Sequence, residues 1–431
     1  MSLLIRNGRL LNPAGGDDRH VDVRIKDGVI AEIAPATSLQ AHSSPAGERS
    51  VDATGLWITP GLVDVHVHLR EPGEEYKEDI ASGSRAAAAG GFTTIVAMPN
   101  TKPAIDSAEM VAFVRDRGEK VGRCRVLPSA AITMGQEGKN LAPFGELRRV
   151  GAVAVTDDGR PVENAALMRS ALEYANGFGL VVLTHAEDLC LSKAGHMHEG
   201  ATSTRLGIAG VSRVAEDSIV ARDIMLAEDV GARLHVCHVS TAGSVALIRD
   251  AKARGVKVTG EATPHHFSLT DVAVEGYDTF AKMNPPLREE HDRLAVIEGL
   301  KDGTLDCIAT DHAPHSDVEK DVAFSDAANG VIGLQTSLPL SLDLWRHHGI
   351  PLMRVIDCLT RGGCRALGLP YGEVAVGKPA DLAIIDPEAE WVFSPDQVLS
   401  KSSNSPFLHR TLKGRVAYTL LEGRITHPGN P

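Results

Sequence analysis

The feature that most constrains the fold of this chain is a repeated alternation of two kinds of segment between residues 58 and 368. Short apolar runs rich in β-branched residues are each followed by a stretch whose apolar residues recur every three or four positions, as in amphipathic helices. The eight apolar runs are 62–70, 92–100, 124–133, 150–158, 179–187, 232–240, 256–265 and 305–313. Eight β-then-α units over roughly 250 residues predict an α/β fold, a (β/α)8 barrel of the TIM type.

The two ends of the chain have a different rhythm. Residues 1–57 contain short alternating runs, and the "KDG" at 26–28 between two of them is typical of a β-hairpin turn. Short strands return in residues 369–431, after a helical stretch near 337–368. Because the two ends are alike in character, we expect them to pair into one composite β-sandwich beside the catalytic, metal-dependent barrel of residues 58–368.

Composition restricts the partners and the location of the protein. The 431 residues carry a net charge of −12, which argues against nucleic acid or an anionic membrane as partner. The N-terminal apolar run is broken by Arg6, unlike a signal peptide, and no run approaches the ~18 apolar residues of a membrane span. The six cysteines show no CxxC pair, which predicts reduced thiols in a cytoplasmic protein.

The first apolar run carries reactive side chains, in the sequence "DVHVHLREPG" at 64–73. Side chains of a strand alternate between its faces, so His66, His68 and Arg70 should share one face, with Val65 and the other intervening apolar residues on the opposite face. Two imidazoles can bind a metal, and a guanidinium can bind a carboxylate of the substrate. The solvated polar face of an edge strand would produce the same pattern, so other segments must distinguish a metal site from an edge strand.

In a (β/α)8 barrel the catalytic side chains lie at the carboxyl ends of the strands. Histidines and aspartates of the middle sequence are found at these predicted ends: His66, His68, Asp157, Asp158, His185, His235, His238, Asp311, His312 and His315. Four histidines and two aspartates are sufficient for two metal ions bridged by a carboxylate and a hydroxide. The positions alone do not choose between Asp157 and Asp158 as the bridge.

Several motifs together resemble the amidohydrolase superfamily and, within it, the class I dihydroorotases. They are "DVHVHLREPG", "MPNTKPAID", "TDDG", "ATDHAPHSDVEK", "AANGVIGLQT" and "SKSSNSPF", spread over essentially the whole chain. Hydantoinases and allantoinases share much of the first motif, whereas the stretch from Ala309 to Lys320 is more specific to dihydroorotases. Hydantoinases and many relatives bridge their metals with a carboxylated lysine at the end of strand 4. The fourth run, "VGAVAVTDDG", contains no lysine, which counts against them.

The resemblance implies a binuclear zinc centre with two Zn²⁺ per subunit. One ion would be bound by His66, His68 and Asp311, and the second by His185 and His238. Asp158 would bridge them, because it is the aspartate followed by glycine in the family pattern. The substrate-binding residues implied by the same resemblance are His68, Arg70, Asn100, Asn284, His315, Asn329 and Gly330, the last two through their backbone.

The implied reaction is that of a dihydroorotase, the reversible cyclisation of N-carbamoyl-L-aspartate to L-dihydroorotate plus water in de novo pyrimidine (UMP) biosynthesis. A metal-bridged hydroxide would attack the ring carbonyl, and Asp311 would act as general base and then general acid. Arg70 would bind the remaining carboxylate. The chain departs from the more common "PFG" pattern with "ANG" at 328–330, which backbone contacts should tolerate.

Two alternatives belong to different functional classes. One is another cyclic-amide hydrolase of the allantoinase or hydantoinase type, although neither substrate offers the carboxylate that Arg70 would bind. The other is a dihydroorotase-like scaffold subunit of aspartate transcarbamoylase, although such chains can lose ligands and this one keeps all six. We therefore predict a zinc-dependent cyclic amidohydrolase with a small-molecule substrate, as a homo-oligomer able to associate with aspartate transcarbamoylase. The polar loop at 316–328 is expected to be mobile.

Other histidines are predicted to have no metal role. The "HMHEG" at 196–200 repeats the HxH spacing but lies in a polar helix-to-loop stretch rather than at a strand end. His265 and His266 close the seventh run, where packing is the expected role. His235 is expected inside the barrel, and His312 on the face opposite to Asp311.

Overall fold

The computed structural model describes residues 2–39, 47–192 and 195–427, and these residues form an α/β fold. The strands in chain order are β1 (Ser2–Asn12), β2 (Asp17–Lys26), β3 (Val29–Pro35), β4 (Arg49–Asp52), β5 (Trp57–Pro60), β6 (Leu62–Val67), β7 (Phe92–Ala97), β8 (Arg125–Pro128), β9 (Ala154–Val155), β10 (Val181–Thr184), β11 (Met197–His198), β12 (Gly210–Val211), β13 (Leu234–Val236), β14 (Val258–Ala262), β15 (Cys307–Ile308), β16 (Leu382–Val392), β17 (Thr411–Leu421) and β18 (Arg424–His427). Each of the eight predicted apolar runs therefore contains a strand.

Helices separate these strands, as the apolar spacing predicts. They are α1 (Ile80–Ala89), α2 (Ala108–Val121), α3 (Phe144–Arg149), α4 (Ala165–Gly177), α5 (Leu189–Ser192), α6 (Ala201–Leu206), α7 (Val214–Val230), α8 (Ala242–Ala253), α9 (Pro264–Ser268), α10 (Glu290–Asp302), α11 (Asp317–Lys320), α12 (Ser337–His348), α13 (Leu352–Leu359) and α14 (Arg361–Leu367). Short 3-10 helices cover Met134–Gln136, Asp271–Val274, Thr279–Ala281 and Pro395–Gln397. The predicted helical stretch near 337–368 contains three helices, α12 to α14.

The strands of the central region pair in parallel and in sequence order. β6, β7 and β8 form one sheet, and β9, β10, β13, β14 and β15 form another. Isolated parallel bridges join the two sheets, between Ala130 and Val155 on one side and between Val67 and His312 on the other. Because all these pairings are parallel, the carboxyl ends of the eight strands lie at the same edge.

Strand β6 contains an irregularity that changes which side chains share a face. Asp64 pairs with Ile95 and Val67 with Ala97, so three steps along β6 match two along β7, as in a β-bulge. Val65 packs with Val63 in a cluster that includes residues of helix α14, whereas Val67 packs in a separate cluster that includes residues of helix α1. The prediction that Val65 and Val67 share a face was therefore wrong, because the extra residue resets the alternation.

The two ends of the chain form one eight-stranded sheet. Its order is β18-β17-β16-β5-β1-β2-β3, with β4 beside β1. The antiparallel pairing of β5 with β16 joins the N-terminal segment to the C-terminal one, and the sheet extends to Pro60 rather than ending at residue 57. The turn predicted at "KDG" lies between β2 and β3, where Asp27 and Gly28 both have positive φ, as a two-residue hairpin turn requires.

Two expectations from composition can be compared with the structure. In the described parts of the chain, no helix combines the length and the apolar character needed to cross a membrane. All six cysteines are free, and all except Cys190 are buried.

Candidate metal centre and substrate cavity

A cavity of about 270 Å³ opens at the carboxyl edge of the parallel strands. It is lined by His68, Arg70, Asn100, Asp158, Gly159, His185, His238, Asn284, Asp311, Ala313, His315, Asn329 and Gly330. All seven predicted substrate-binding residues are among them, together with five of the six predicted metal ligands. The sixth ligand, His66, is fully buried and contacts Asp158.

Asp158 lies at the centre of the predicted ligands. The distances to its Oδ1 are 3.3 Å from His66 Nε2, 3.5 Å from His238 Nε2 and 3.6 Å from His185 Nδ1. Its Oδ2 lies 3.4 Å from His68 Nε2. One carboxylate thus faces all four imidazoles, which is the position that a bridging ligand requires.

Asp311 approaches the same centre from the other side. Its Oδ1 lies 3.0 Å from His68 Nε2 and 3.5 Å from His66 Nε2. The ligand atoms of His66, His68 and Asp311 lie within 4.8 Å of one another, and so do those of His66, Asp158 and His238. The structure therefore brings five of the six predicted ligands together in two overlapping groups, and the sixth, His185, reaches the centre through Asp158.

Two buried atoms at this centre lack a hydrogen-bond partner and indicate whether the residues fit a metal ion. His66 Nε2 and Asp158 Oδ1 are buried and 3.3 Å apart, yet neither has a hydrogen-bond partner. Buried polar atoms are almost always hydrogen-bonded, so such atoms require another partner. Imidazole nitrogens and carboxylate oxygens are the ligands that divalent zinc accepts. The residues present fit a divalent metal.

The second ring nitrogen of three predicted ligands is held by another side chain. The pairs are His66 Nδ1 with Glu261 Oε1 at 2.7 Å, His68 Nδ1 with Asn100 Oδ1 at 2.8 Å, and His185 Nε2 with Glu187 Oε2 at 3.0 Å. Such a partner selects the tautomer and leaves the other nitrogen free to bind a metal. Asn100 therefore orients a ligand as well as lining the cavity.

Neither Glu261 nor Glu187 was predicted from the sequence to belong to the site. A signal for Glu261 was present, because a carboxylate within an apolar strand is costly unless it has a partner. Glu187 follows His185 by two residues, so the alternation of a strand could have placed both on one side.

The structure separates the two adjacent aspartates that the strand-end pattern left open. Asp157 accepts hydrogen bonds from the backbone N–H groups of Ile132 at 2.8 Å and Thr133 at 3.0 Å, and from the Thr133 hydroxyl. Burial raises the pKa of Asp157 to about 6. Asp158 instead faces the four imidazoles. Geometry therefore agrees with the choice of Asp158 that the family pattern implied.

The two central carboxylates are held in their charged form. Burial opposes ionisation, but His66, His185 and His238 lower the pKa of Asp158 well below its usual range. Likewise, burial is outweighed at Asp311 by its histidine neighbours, which lower its pKa. Burial also opposes the charge on His185, yet Asp158 and Glu187 raise the pKa of that imidazole to about 10. Metal binding would displace these protons, since ligands must be deprotonated.

Three residues of the site have a left-handed backbone, although none is glycine. The φ angles are 59° at Arg70, 32° at His238 and 46° at Asp311. Such conformations are unfavourable for residues with a Cβ and persist only where the surrounding structure imposes them. All three follow the ends of parallel strands, so the strain lies where side chains are directed into the cavity.

The cavity also contains a fixed cation. Arg70 is buried, and its Nε donates to the carbonyl of Pro314 at 3.3 Å. Its Nη2 lies 3.3 Å from His315 Nε2. Burial, together with the neighbouring charges of Arg70 and Lys77, lowers the pKa of His315 to about 2, so this imidazole is neutral. A planar guanidinium beside a neutral imidazole suits a carboxylate.

Comparison with known proteins connects this site to a family. Residues 55–244 match a family model described as dihydro-orotase-like. The chain is 51% identical to a dihydroorotase of Trichlorobacter lovleyi over 100% of both chains. It is 52% identical to a dihydroorotase of Pelobacter propionicus, over 99% of this chain and 100% of the relative. The chain belongs to the dihydroorotase family.

Solved structures of related enzymes show the fold that dihydroorotases share with other amidohydrolases. An L-hydantoinase (dihydropyrimidinase) from Arthrobacter aurescens superposes with a TM-score of 0.88 at 24% identity, covering 99% of this chain and 96% of that chain. A dihydropyrimidinase from Brevibacillus agri superposes with a TM-score of 0.85 at 23% identity, covering 100% and 95%. The α/β fold is therefore of the amidohydrolase type, and membership of the dihydroorotase family makes the chain a cyclic amidohydrolase.

The histidines for which no metal role was predicted line no part of the cavity: His196, His198, His235, His265, His266 and His312. His198 is buried beside Arg288, with Nδ1 at 3.3 Å from the guanidinium. His312 Nε2 lies 3.3 Å from Glu78 Oε2. His235 has an indirect connection to the dihydroorotase site, because its Nε2 lies 3.0 Å from Glu261 Oε2.

Proposed function

We propose that this chain catalyses the reversible interconversion of N-carbamoyl-L-aspartate and L-dihydroorotate in pyrimidine biosynthesis. The observation that carries the proposal is one cavity lined both by Arg70 and by the cluster around Asp158 and Asp311. A cyclic amide that bears a ring carboxylate offers one group to the guanidinium and one to the cluster. Relatives named dihydroorotase at 51–53% identity support the same substrate.

We infer that the site binds two zinc ions. One ion would be bound by His66, His68 and Asp311. The other ion would be bound by His185 and His238, and Asp158 would bind both ions. When bound, such ions polarise a substrate carbonyl and make water a stronger nucleophile at neutral pH. The orphaned His66 Nε2 and Asp158 Oδ1 support this assignment.

Asp311 is the residue proposed to move the proton. Its histidine neighbours hold its pKa low, so the carboxylate is free to accept a proton from the attacking water. As the amide bond breaks, the same carboxyl group returns the proton to the departing ring nitrogen. In the biosynthetic direction Asp311 takes the proton from the ureido nitrogen and gives it to the leaving oxygen.

The remaining residues bind and orient the substrate in this proposal. Arg70 and His315 would bind the ring carboxylate. Asn100 and Asn284 each keep one amide group for their orienting bonds, to His68 and Glu187, and present the rest to the cavity. The N–H of Gly330 already donates to the carbonyl of Lys282 at 2.9 Å, and its carbonyl oxygen accepts one hydrogen bond from Asn404, so the substrate contact would use the second lone pair of that oxygen.

We also infer the finer architecture. The eight parallel strands, with bridges between the two sheets, support a closed (β/α)8 barrel over residues 61–368. The eight-stranded sheet of the two ends supports a composite β-sandwich formed by residues 1–60 and 369–431. A homo-oligomer, and association with aspartate transcarbamoylase, remain predictions from the resemblance.

The experiment is to measure hydrolysis of L-dihydroorotate by the purified, zinc-loaded protein, with allantoin and hydantoin in parallel. We expect turnover of dihydroorotate alone, reduced by two to four orders of magnitude in Asp311→Asn because a general acid–base contributes about that factor. Turnover of allantoin or hydantoin instead would indicate another cyclic-amide hydrolase. No turnover of any of the three would favour the scaffold function.

A further inference from the structure

The rim segment, residues 328–330, forms one wall of the cavity and is unusually constrained. Gly330 has φ of 143°, a conformation that favours glycine. A Cβ at this position would lie 2.7 Å from the carbonyl oxygen of Ala313 and 2.8 Å from its Cβ. The backbone of the rim segment therefore packs directly against the loop that carries His315, and its position determines the shape of the cavity.

One side chain that holds the rim segment comes from the C-terminal part of the chain. Asn404 is buried and belongs to the "SKSSNSPF" motif between β16 and β17. Its Nδ2 donates to the carbonyls of Gly330 at 3.0 Å and Ala313 at 3.1 Å, and its Oδ1 accepts from the N–H of His315 at 3.0 Å. All three partners line the cavity, whereas Asn404 does not.

A second side chain holds the rim segment from the other direction. Lys320 is only 2% exposed, and its Nζ donates to the carbonyls of Ala328 at 2.7 Å, Thr279 at 3.0 Å and Lys282 at 3.2 Å. The carbonyl of Lys282 also accepts from the N–H of Gly330. A buried amine is tolerated only where acceptors surround it, and here the acceptors come from two segments, residues 279–282 and the rim segment.

We propose that Asn404 and Lys320 are positioning residues that hold the rim segment in its substrate-binding position and thereby set the affinity for substrate. Both side chains act on Gly330. Asn404 donates to its carbonyl oxygen, and Lys320 donates to the carbonyl of Lys282, which also accepts the N–H of Gly330. Neither touches the cavity, so both act through the backbone. The inference rests on the proposed function, because the rim segment is taken to bind the substrate of that reaction.

The test is a comparison of KM and kcat for L-dihydroorotate in Asn404→Leu and Lys320→Met. We expect KM to rise about tenfold with kcat within about threefold of the unmodified enzyme, since binding contacts are loosened while the reacting groups stay in place. A merely structural role would lower the active fraction and hence the apparent kcat, with KM unchanged.

A matched control is available in the C-terminal segment. Ser402→Ala removes a buried hydrogen bond from that segment to the carbonyl of Lys77, outside the rim segment. This control should keep KM within about twofold of the unmodified enzyme.

KM unchanged in both test variants, with an active unmodified enzyme, would overturn the inference. An unmodified enzyme without turnover would instead refute the proposed function. If the unmodified enzyme shows no turnover, or if the variants do not fold, hydrogen exchange of the unmodified protein tests the inference instead. Amides of the rim segment should exchange as slowly as those of helix α12, whereas exchange as fast as in the exposed turn at 15–16 would overturn it.

Discussion

The carboxylate of Glu261 lies 2.7 Å from Nδ1 of His66, whose Nε2 lies 3.3 Å from Asp158. The same oxygen of Glu261 accepts the backbone N–H of His238 at 3.0 Å, and its other oxygen lies 3.0 Å from His235 Nε2. One fully buried carboxylate therefore orients a predicted metal ligand and fixes the backbone of another. Its effect on metal binding can be measured separately from turnover.

Replacing this carboxylate by an amide of the same shape should weaken metal binding. Glu261→Gln removes the charge that raises the basicity of His66, and loss of such a partner lowers metal affinity by about 10–100-fold. Equilibrium dialysis against zinc measures the change. Glu78→Gln is the control, because Glu78 is equally buried but contacts His312 rather than a predicted ligand. Equal zinc affinity in Glu261→Gln and the unmodified protein would contradict this prediction.

The two adjacent aspartates should respond in opposite ways. Asp158→Asn removes the carboxylate shared by the predicted ligands, so bound zinc per chain should fall below that of the unmodified protein. Asp157→Asn should keep its zinc but lower the free energy of unfolding by about 1–3 kcal/mol, because an amide nitrogen in place of Oδ2 cannot accept the hydrogen bond from the Thr133 hydroxyl. Metal analysis and urea unfolding of the metal-free proteins measure the two effects. The reverse pattern would assign the bridge to Asp157.

The guanidinium of Arg70 should matter most for substrates that carry a carboxylate. Arg70→Gln should raise KM for L-dihydroorotate by about 10–100-fold, the contribution of a charge-assisted hydrogen bond. Steady-state kinetics measure this, with Arg160→Gln as control, because Arg160 is exposed and lines a neighbouring cavity. A KM that does not change in Arg70→Gln would mean that the carboxylate is bound elsewhere.

The buried histidine of the "HMHEG" stretch should make the fold sensitive to acid. Burial, with Arg288 and Arg213 nearby, lowers the pKa of His198 from 6.5 to about 4. Between pH 4 and pH 6.5 the unfolded chain binds more protons at His198 than the folded chain does. The stability contributed by a neutral His198 is therefore fully present above about pH 6.5 and is lost as the pH falls toward 4. Relative to His198→Gln, the unmodified protein should lose about 1–2 kcal/mol more between pH 7 and pH 4.5.

Urea unfolding of the metal-free proteins at several pH values measures this difference. His196→Gln is the matched control, because His196 lies two residues away and is partly exposed. It should follow the pH dependence of the unmodified protein. Parallel curves for His198→Gln and the unmodified protein would show that His198 does not titrate differently in the two states.

Much of the site could be predicted because it depends on local pattern. The apolar runs located all eight parallel strands, and the rule that chemistry lies at strand ends placed His185, His238 and Asp311 among ten candidates, from which the family resemblance chose the ligands. The predicted alternation of side chains between the two faces of β6 was wrong at Val65, where β6 carries an extra residue relative to β7. A bulge depends on pairing with the neighbouring strand, and a single sequence does not contain that register.

The sequence by itself determined where the strands end and which reactive side chains follow them, because hydrophobic periodicity is a property of neighbouring residues. Only the tertiary structure decided which partner each side chain meets. Glu261 reaches His66 across 195 positions, and Asn404 reaches Gly330 across 74. Such pairs depend on how distant segments pack and on strand register, which spacing along the chain does not specify. The same long-range packing turns Asp158 toward the centre and Asp157 away from it.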